Sequence, residues 1–239
     1  MKKLNPDHAL VLFSGGQDSS IVLAWALERF PRVDTVGFSY GQRHRVELDA
    51  RAVVRSGLAA FSPDWGERLG RDDVLDLSGF GASLDTALTS DAPIGFDEEA
   101  GLPTTFVPGR NLVFLTMAAG LAYNRNSGVL AAGMCEEDAT GYPDCRRAAL
   151  DAQVQALCLG LDADLRLETP VLEMSKARSW ALAERIGGRA LVDLINVNSH
   201  TCYIGDRTAH DWGFGCGECP ACKLRAEGWA LYISSSQQR

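Results

Sequence analysis

The sequence predicts an α/β fold: a doubly wound, mostly parallel five-stranded sheet with a small C-terminal metal-binding region of helix and loop. Three observations carry that expectation. Short apolar runs of strand type alternate with stretches of helical periodicity, the order that builds parallel sheets from βαβ units. Polar, glycine-bearing clusters recur directly after the strands, where open α/β sheets bind their ligands. Towards the C-terminus the alternation gives way to a cysteine-rich segment. Residues 1–190 are therefore expected to form the α/β domain, and residues 191–239 a metal-binding region packed on it.

The elements follow in order. Residues 9–13 are apolar and strand-like, and the chain then turns at Ser14-Gly15-Gly16. Residues 19–30 read as helix, which Pro31 ends because proline has no N–H and clashes with the preceding turn. A short second strand at 35–38 leads through a cationic run, Arg43-His44-Arg45, into a helix at about 46–57. Val46, Ala50, Val53 and Val54 fit one face of it. Residues 74–77 make a weak third strand. From 78 to 108 the periodicity lapses among glycines, prolines and acids. A loop of that length suits either a mobile flap beside an active site or a solvent-exposed insertion. Regularity returns with a helix at 112–123, a strand at 129–132, a helix at 148–159 and a fifth strand that ends at about 165–170. A last helix spans 176–186, with Ser175 as its cap.

Bulk properties narrow the class. The chain has 239 residues, 46% hydrophobic and 23% charged, ordinary for a globular protein. No apolar run approaches the ~20 residues that span a bilayer, and residues 1–8 lack the apolar stretch of a secretory signal. A cytoplasmic protein with no membrane partner is expected. The net charge of −8, from 23 basic against 31 acidic residues, disfavours a nucleic-acid partner, although a local basic groove stays open. Seven cysteines in such a chain point to metal or thiol chemistry rather than to a disulfide framework.

The first loop, Phe13-Ser14-Gly15-Gly16-Gln17-Asp18-Ser19-Ser20, joins a strand to a helix. Glycines let a backbone approach phosphate, and the N–H groups of the next helix face the anion. No lysine follows the glycines as in the common nucleotide hydrolases. The loop looks instead like the S-G-G-x-D-S loop of ATP pyrophosphatases, which split ATP between its α and β phosphates. A plain glycine turn capped by Ser14 or Asp18 is the bland alternative. As an ATP loop, Ser14, Gly15, Gly16, Ser19 and Ser20 would hold pyrophosphate, with Phe13, Gln17, Ile21, Val22 and Leu23 completing it. Asp18 is the candidate Mg²⁺ contact, because Mg²⁺ prefers carboxylate and phosphate oxygens. Lys176, opening its helix, would balance charge on the α-phosphate; an exposed helix lysine is the alternative. Further along, Arg43 and Arg110 suit a carboxylate or phosphate, and Asn111 a purine edge.

Cys216-Gly217-Glu218-Cys219-Pro220-Ala221-Cys222 is a C-x₂-C-x₂-C run, with Cys202 upstream. Four thiolates from two short segments match a closed tetrahedral zinc site, and an iron–sulfur cluster is the rival reading. His200 or His210 could replace Cys202, but an all-cysteine set is more economical. Cys135, Cys145 and Cys158 are left over, the last expected in the core.

Taken together, FSGGQDSS, YGQRH, TTFVPGRN, GYPDCR, the TP and SK pairs, and TCY with CGECPACKLR resemble the 7-cyano-7-deazaguanine synthases, the queuosine-biosynthesis family of ATP pyrophosphatases. The pieces run in order from Phe13 to Arg225. The resemblance implies a Rossmann-like ATP-pyrophosphatase fold, one structural Zn²⁺ per chain held by Cys202, Cys216, Cys219 and Cys222, Mg²⁺ with ATP, and a homodimer. It implies that 7-carboxy-7-deazaguanine, ammonia and ATP give a nitrile through an adenylated acid and an amide. Asp18 and Lys176 would be catalytic, and Arg43, Arg110, Asn111, Tyr142, Asp144 and Arg146 would bind the substrate. One departure is the thirteen residues between Cys202 and Cys216, more than expected. Rivals sharing the loop fit less well. A tRNA-modifying ligase wants a basic surface, and 239 residues leave no room for a glutaminase domain, so free ammonia is expected. A zinc-ribbon module that merely binds nucleotide is the non-enzymatic alternative.

Overall fold

The computed structural model describes residues 1–43, 46–135 and 142–236. Its centre is a five-stranded sheet of β1 (Asn5–Leu12), β2 (Arg32–Ser39), β3 (Leu69–Asp76), β6 (Ser127–Ala132) and β7 (Arg166–Glu168). The strands lie in the order β3-β2-β1-β6-β7, and every pairing is parallel. The connecting helices are α1 (Gln17–Arg29), α2 (Val46–Phe61), α3 (Pro63–Arg68), α4 (Ser78–Ala82), α5 (Arg110–Arg125), α6 (Arg147–Leu161), α7 (Lys176–Asn198) and α8 (Pro220–Ser236). Two small antiparallel hairpins complete the chain: β4 (Phe96–Asp97) with β5 (Leu102–Pro103), and β8 (Ala209–His210) with β9 (Gly213–Phe214).

Alternation along β1 sorts the core. Ala9, Val11 and Phe13 pack on one face with Ile21, Val22, Leu27 and Trp180. Leu10 and Leu12 pack on the other with Leu115, Ala118 and Leu150. A parallel sheet covered on both faces needs apolar side chains on both, and β6 accordingly is buried from end to end. The strand order reverses between β1 and β6, so the loops leaving these two strands diverge and open a crevice at their carboxyl ends. They touch at their bases: a Cβ on Gly133 would lie 2.8 Å from the Ser19 nitrogen.

Several elements run beyond their expected bounds. The third strand begins at Leu69; its register is held by charge more than by apolar burial, since the buried Arg51 of α2 bonds the Asp72 carboxylate and the Phe13 carbonyl. The helix expected to end at residue 186 continues to Asn198 across a kink at Gly187 and Gly188, the latter at φ +64. It thereby crosses residue 190. Helices α3 and α4 answer to no expected element, while α8 falls in the C-terminal region expected to be helix and loop. The stretch 78–108 is a folded wall: Ala87, Leu88, Thr105 and Val107 are buried, and Leu88 packs in the second core.

Candidate active site and metal centre

The crevice holds a cavity of about 270 Å³. Ser14, Gly16, Gln17, Asp18 and Ser19 line it from the first loop; Tyr40, Gln42 and Arg43 from the end of β2; Gly133, Met134 and Cys135 from the end of β6. Arg110 and Asn111 enter from α5 and Lys176 from α7. Among the described residues the cavity wall carries four cations, Arg43, Arg110, Lys176 and Arg225, against two carboxylates, Asp18 and Glu47. A chain of charge −8 thus concentrates positive charge where an anionic ligand would sit.

The loop is built on its glycines and serines. Gly15 takes φ +92, and a Cβ there would lie 2.6 Å from the Glu47 carbonyl oxygen, so only glycine fits. The N–H groups of Ser14 and Gly15 donate to Ser19 Oγ, and that of Gly16 to Ser14 Oγ, each at 3.2 Å. These hydroxyls occupy the donors that phosphate oxygens would take. Asp18 stands in the first turn of α1, its Oδ2 at 2.6 Å from Lys176 Nζ. Asp18 Oδ1 is buried without a hydrogen-bond partner among the described residues, an acceptor suited to a cation. Ser175 caps α7 by accepting from the Arg178 N–H, which fixes the lysine's helix at the cavity rim.

Not every expected loop residue reaches the cavity. Ile21, Val22 and Leu23 are fully buried in the core beneath α1, because the helix turns them inward. Ser20 donates its hydroxyl to the Gly16 carbonyl at 2.8 Å, inside the helix turn. Phe13 lines the cavity, and Gln17, also on its wall, donates to Ser179 Oγ.

On the opposite wall, the Arg110 guanidinium stands 5.9 Å from the Tyr40 ring centroid and 5.8 Å from that of Tyr142. Tyr142 shares a 2.6 Å hydrogen bond with Thr105 Oγ1 and lies 3.3 Å from the Tyr203 hydroxyl. Asn111 is buried; its N–H donates to Asp144 Oδ2, and its amide donates to Cys145 Sγ at 3.2 Å. Asp144 Oδ1 is left buried without a partner among the described residues. Arg43 is half-exposed, 3.8 Å from Asp91. Arg146 is exposed and off the cavity wall. His44 and Arg45 lie outside the described residues, as does the 136–141 segment of the loop after β6.

Sequence reasoning passed over Glu47 and the role of Arg225. Glu47 stands in the first turn of α2 on the cavity wall. Burial pushes its carboxyl up to about 7, against the pull of Arg110 and His200 and with the push of Cys202. Arg225 is buried and donates to the carbonyls of Trp212, Asn196 and Ser199. Desolvation lowers it to about 10, with Asp18 and Cys222 opposing, so it stays charged at neutral pH. Its signal was available in sequence: it follows Cys222 by one helical turn and shares that inward face.

The four expected cysteines converge, their sulfurs all within 4.8 Å of one another. Cys216 and Cys222 sulfurs lie 3.9 Å apart, close to the roughly 3.8 Å edge of a tetrahedron with 2.3 Å zinc–sulfur bonds. The N–H groups of Glu218 and Cys219 donate to Cys216 Sγ, favouring a thiolate there. Crowded thiols ionise unequally: Cys202, accepting from Cys219 and Cys222, falls far below the usual thiol range, and those two rise. A divalent cation removes that conflict, and the set fits zinc. His210 is engaged elsewhere, 2.9 Å from the Gly215 carbonyl and stacked on Trp212; the longer Cys202–Cys216 connection folds into the β8–β9 hairpin. Of the remaining cysteines, Cys158 is half-buried and donates to the Leu165 carbonyl.

The centre abuts the loop. The His200 N–H donates to the Gly15 carbonyl at 3.1 Å, and a Cβ on Gly16 would meet Thr201 Cγ2 at 3.3 Å. Thr201, Tyr203, Ala221 and Leu224 all face the cavity between the cysteines or just beyond them.

Comparison with known proteins adds a family. A model described as queuosine biosynthesis protein QueC matches residues 8–233. A Maricaulis maris protein named 7-cyano-7-deazaguanine synthase is 60% identical over 235 residues, covering 96% of each chain. The protein of that name from Caulobacter sp. (strain K31) is 61% identical over 233 residues, covering 97% of this chain and 93% of its own. The one from Rhodopseudomonas palustris is 55% identical over 237 residues, covering 99% and 98%.

Proposed function

The chain belongs to the QueC family of queuosine biosynthesis proteins, and from that premise we propose that it makes 7-cyano-7-deazaguanine from 7-carboxy-7-deazaguanine, ammonia and ATP. The observation that carries this reading is the cationic cavity in which the Ser14–Ser19 loop, the Asp18–Lys176 pair and the Arg110–Tyr142 wall face one another. A carboxylate is a poor electrophile because its leaving group would be oxide. Attack on the α-phosphorus of ATP releases pyrophosphate and gives an acyl adenylate. Ammonia displaces AMP to form the amide, and a second ATP activates the amide oxygen so that loss of AMP leaves the nitrile. The protein's part is positioning and charge neutralisation.

In this reading Ser14, Gly16 and Ser19 exchange their mutual hydrogen bonds for phosphate oxygens, and Lys176 faces the α-phosphate. Asp18 holds Mg²⁺, as its unpartnered Oδ1 suits; the ion supplies charge neutralisation on the phosphates. The cysteine cluster holds one structural zinc per chain. Residues 191–239 then form the metal-binding region packed on the α/β domain, and the working unit is a cytoplasmic homodimer. No helix among the described residues is long and apolar enough to cross a membrane.

Tyr142, Asn111 and Asp144 serve the deazaguanine side, where a carboxylate oxygen can accept from the purine-like N–H groups. Arg146, exposed and off the cavity wall, is assigned to the same side. Replacing Asp144 with asparagine is expected to abolish binding of the acid while ATP binding survives. Isothermal titration with each ligand decides it, and unchanged affinity for the acid would refute the assignment. The activity itself is tested by incubation with ATP, Mg²⁺, ammonium and 7-carboxy-7-deazaguanine, followed by mass analysis. AMP, pyrophosphate and the nitrile are expected, and release of AMP independent of the acid would remove the reading.

A further inference from the structure

We propose that Glu47 is the general base of the amide-forming step, taking the proton that nitrogen sheds as ammonia displaces AMP. The inference rests on the reaction proposed above and supplies a residue that it lacks. Among the described residues the cavity wall presents two carboxylates. Asp18 is engaged by Lys176 at 2.6 Å and suits the cation of the nucleotide. Glu47 stands apart from that pair, and charge neutralisation of ATP gives it no task, since a second anion beside phosphates opposes their binding.

Its placement is rigid. The α2 backbone at Glu47 is pressed on the glycine loop: the Glu47 carbonyl oxygen lies 2.6 Å, and the Arg51 nitrogen 2.9 Å, from where a Gly15 Cβ would be. Arg51, one turn further, is anchored to the Phe13 carbonyl. Glu47 lines the cavity together with Arg110 of α5, Thr201 of the segment after α7 and Tyr40 at the end of β2. It therefore lies between the phosphate loop and the Arg110–Tyr142 wall. That is where the acyl carbon of an adenylate spanning the two would lie.

The step balances. The ammonia lone pair forms the C–N bond at the acyl carbon. The C–O bond to AMP breaks, and the phosphate leaves with that electron pair. Nitrogen enters with three protons and remains in the amide with two. Until the third is removed, the adduct nitrogen is cationic and leaves more readily than AMP. Glu47 accepts that proton and passes it to solvent.

The test separates the half-reactions. In E47Q, exchange of pyrophosphate into ATP that depends on the acid should stay within about threefold of wild type, because it precedes nitrogen attack. Amide formation from ammonia should fall by about 10²–10⁴-fold. Hydroxylamine, whose adduct is more acidic and loses its proton to water, should still give hydroxamate with a much smaller loss. Formate should restore part of the ammonia reaction to E47A. If E47Q does not fold, E47D, which keeps but retracts the carboxylate, must show the same selective loss. Loss of exchange in parallel with amide formation would overturn the proposal, placing Glu47 with ATP, magnesium or the acid. So would ammonia turnover that does not change. Absence of acid-dependent exchange in the wild type would instead remove the proposed function.

Discussion

Replacing Lys176 with methionine is expected to slow acid-dependent exchange of pyrophosphate into ATP by about 10²–10³-fold, the usual cost of deleting one preorganised charge at a reacting oxyanion. The lysine is held where such a charge is effective. Its ammonium lies 2.6 Å from Asp18 Oδ2, with side-chain exposures of 11% and 14%, in a crevice of low dielectric. Methionine fills nearly the same volume, so the α7 helix and its Ser175 cap remain. Charge on the α-phosphate oxygens grows as the acid attacks, and an interaction that strengthens only then lowers kcat and kcat/KM alike. A rise in KM for ATP with kcat unchanged would mean that Lys176 binds the ground state only, and the catalytic assignment would fail. The substitution also leaves Asp18 without its partner, so binding of ATP at saturating Mg²⁺ should be measured beside the exchange.

What the sequence disclosed about this site was local in origin. The Ser14–Ser19 turn needs glycines and hydroxyls within a few residues, and C-x₂-C-x₂-C fixes three sulfurs on one turn and the start of α8. Both patterns were readable because their geometry is short-range. The parallel sheet was readable for a similar reason, since β1 and β6 must be apolar on both faces. Contacts across the fold were not. Glu47 is one acid in an amphipathic helix until Gly15 is seen beneath its carbonyl. The spacing of Arg225 from Cys222 gives its inward face, but not the four partners that close around it, Thr201 among them. Ile21, Val22 and Leu23 show the same limit from the other side: they adjoin the loop in sequence, and helical geometry carries them into the core. The length of α7 was concealed by Gly187-Gly188, which reads as a terminus because a helix tolerates such a pair only at a kink.

Removing the metal should act on nucleotide binding as well as on stability, because the cysteines and the cavity wall share one stretch of chain. Cys202 lies between Thr201 and Tyr203, both on that wall, and His200 holds the Gly15 carbonyl. Arg225 ties the turn after Cys222 to Asn196 and Ser199 at the end of α7. Zinc bound by four thiolates contributes folding energy outright, on the order of 10 kcal/mol in small sites. A strong chelator, or the substitution Cys202→Ala, is therefore expected to lower the melting temperature and to weaken ATP binding about tenfold, or about 1.4 kcal/mol. Adding one equivalent of Zn²⁺ should restore the chelated wild type but not the variant. Amide hydrogen exchange offers a local readout, since the His200 N–H that bonds Gly15 should lose protection before the sheet does. Metal analysis should give one zinc per chain, and a visible charge-transfer band would point to an iron–sulfur cluster instead. ATP affinity that survives complete removal of zinc would show that the loop is held by the α/β domain alone. The 200–203 segment would then be a neighbour of the site and not a support of it.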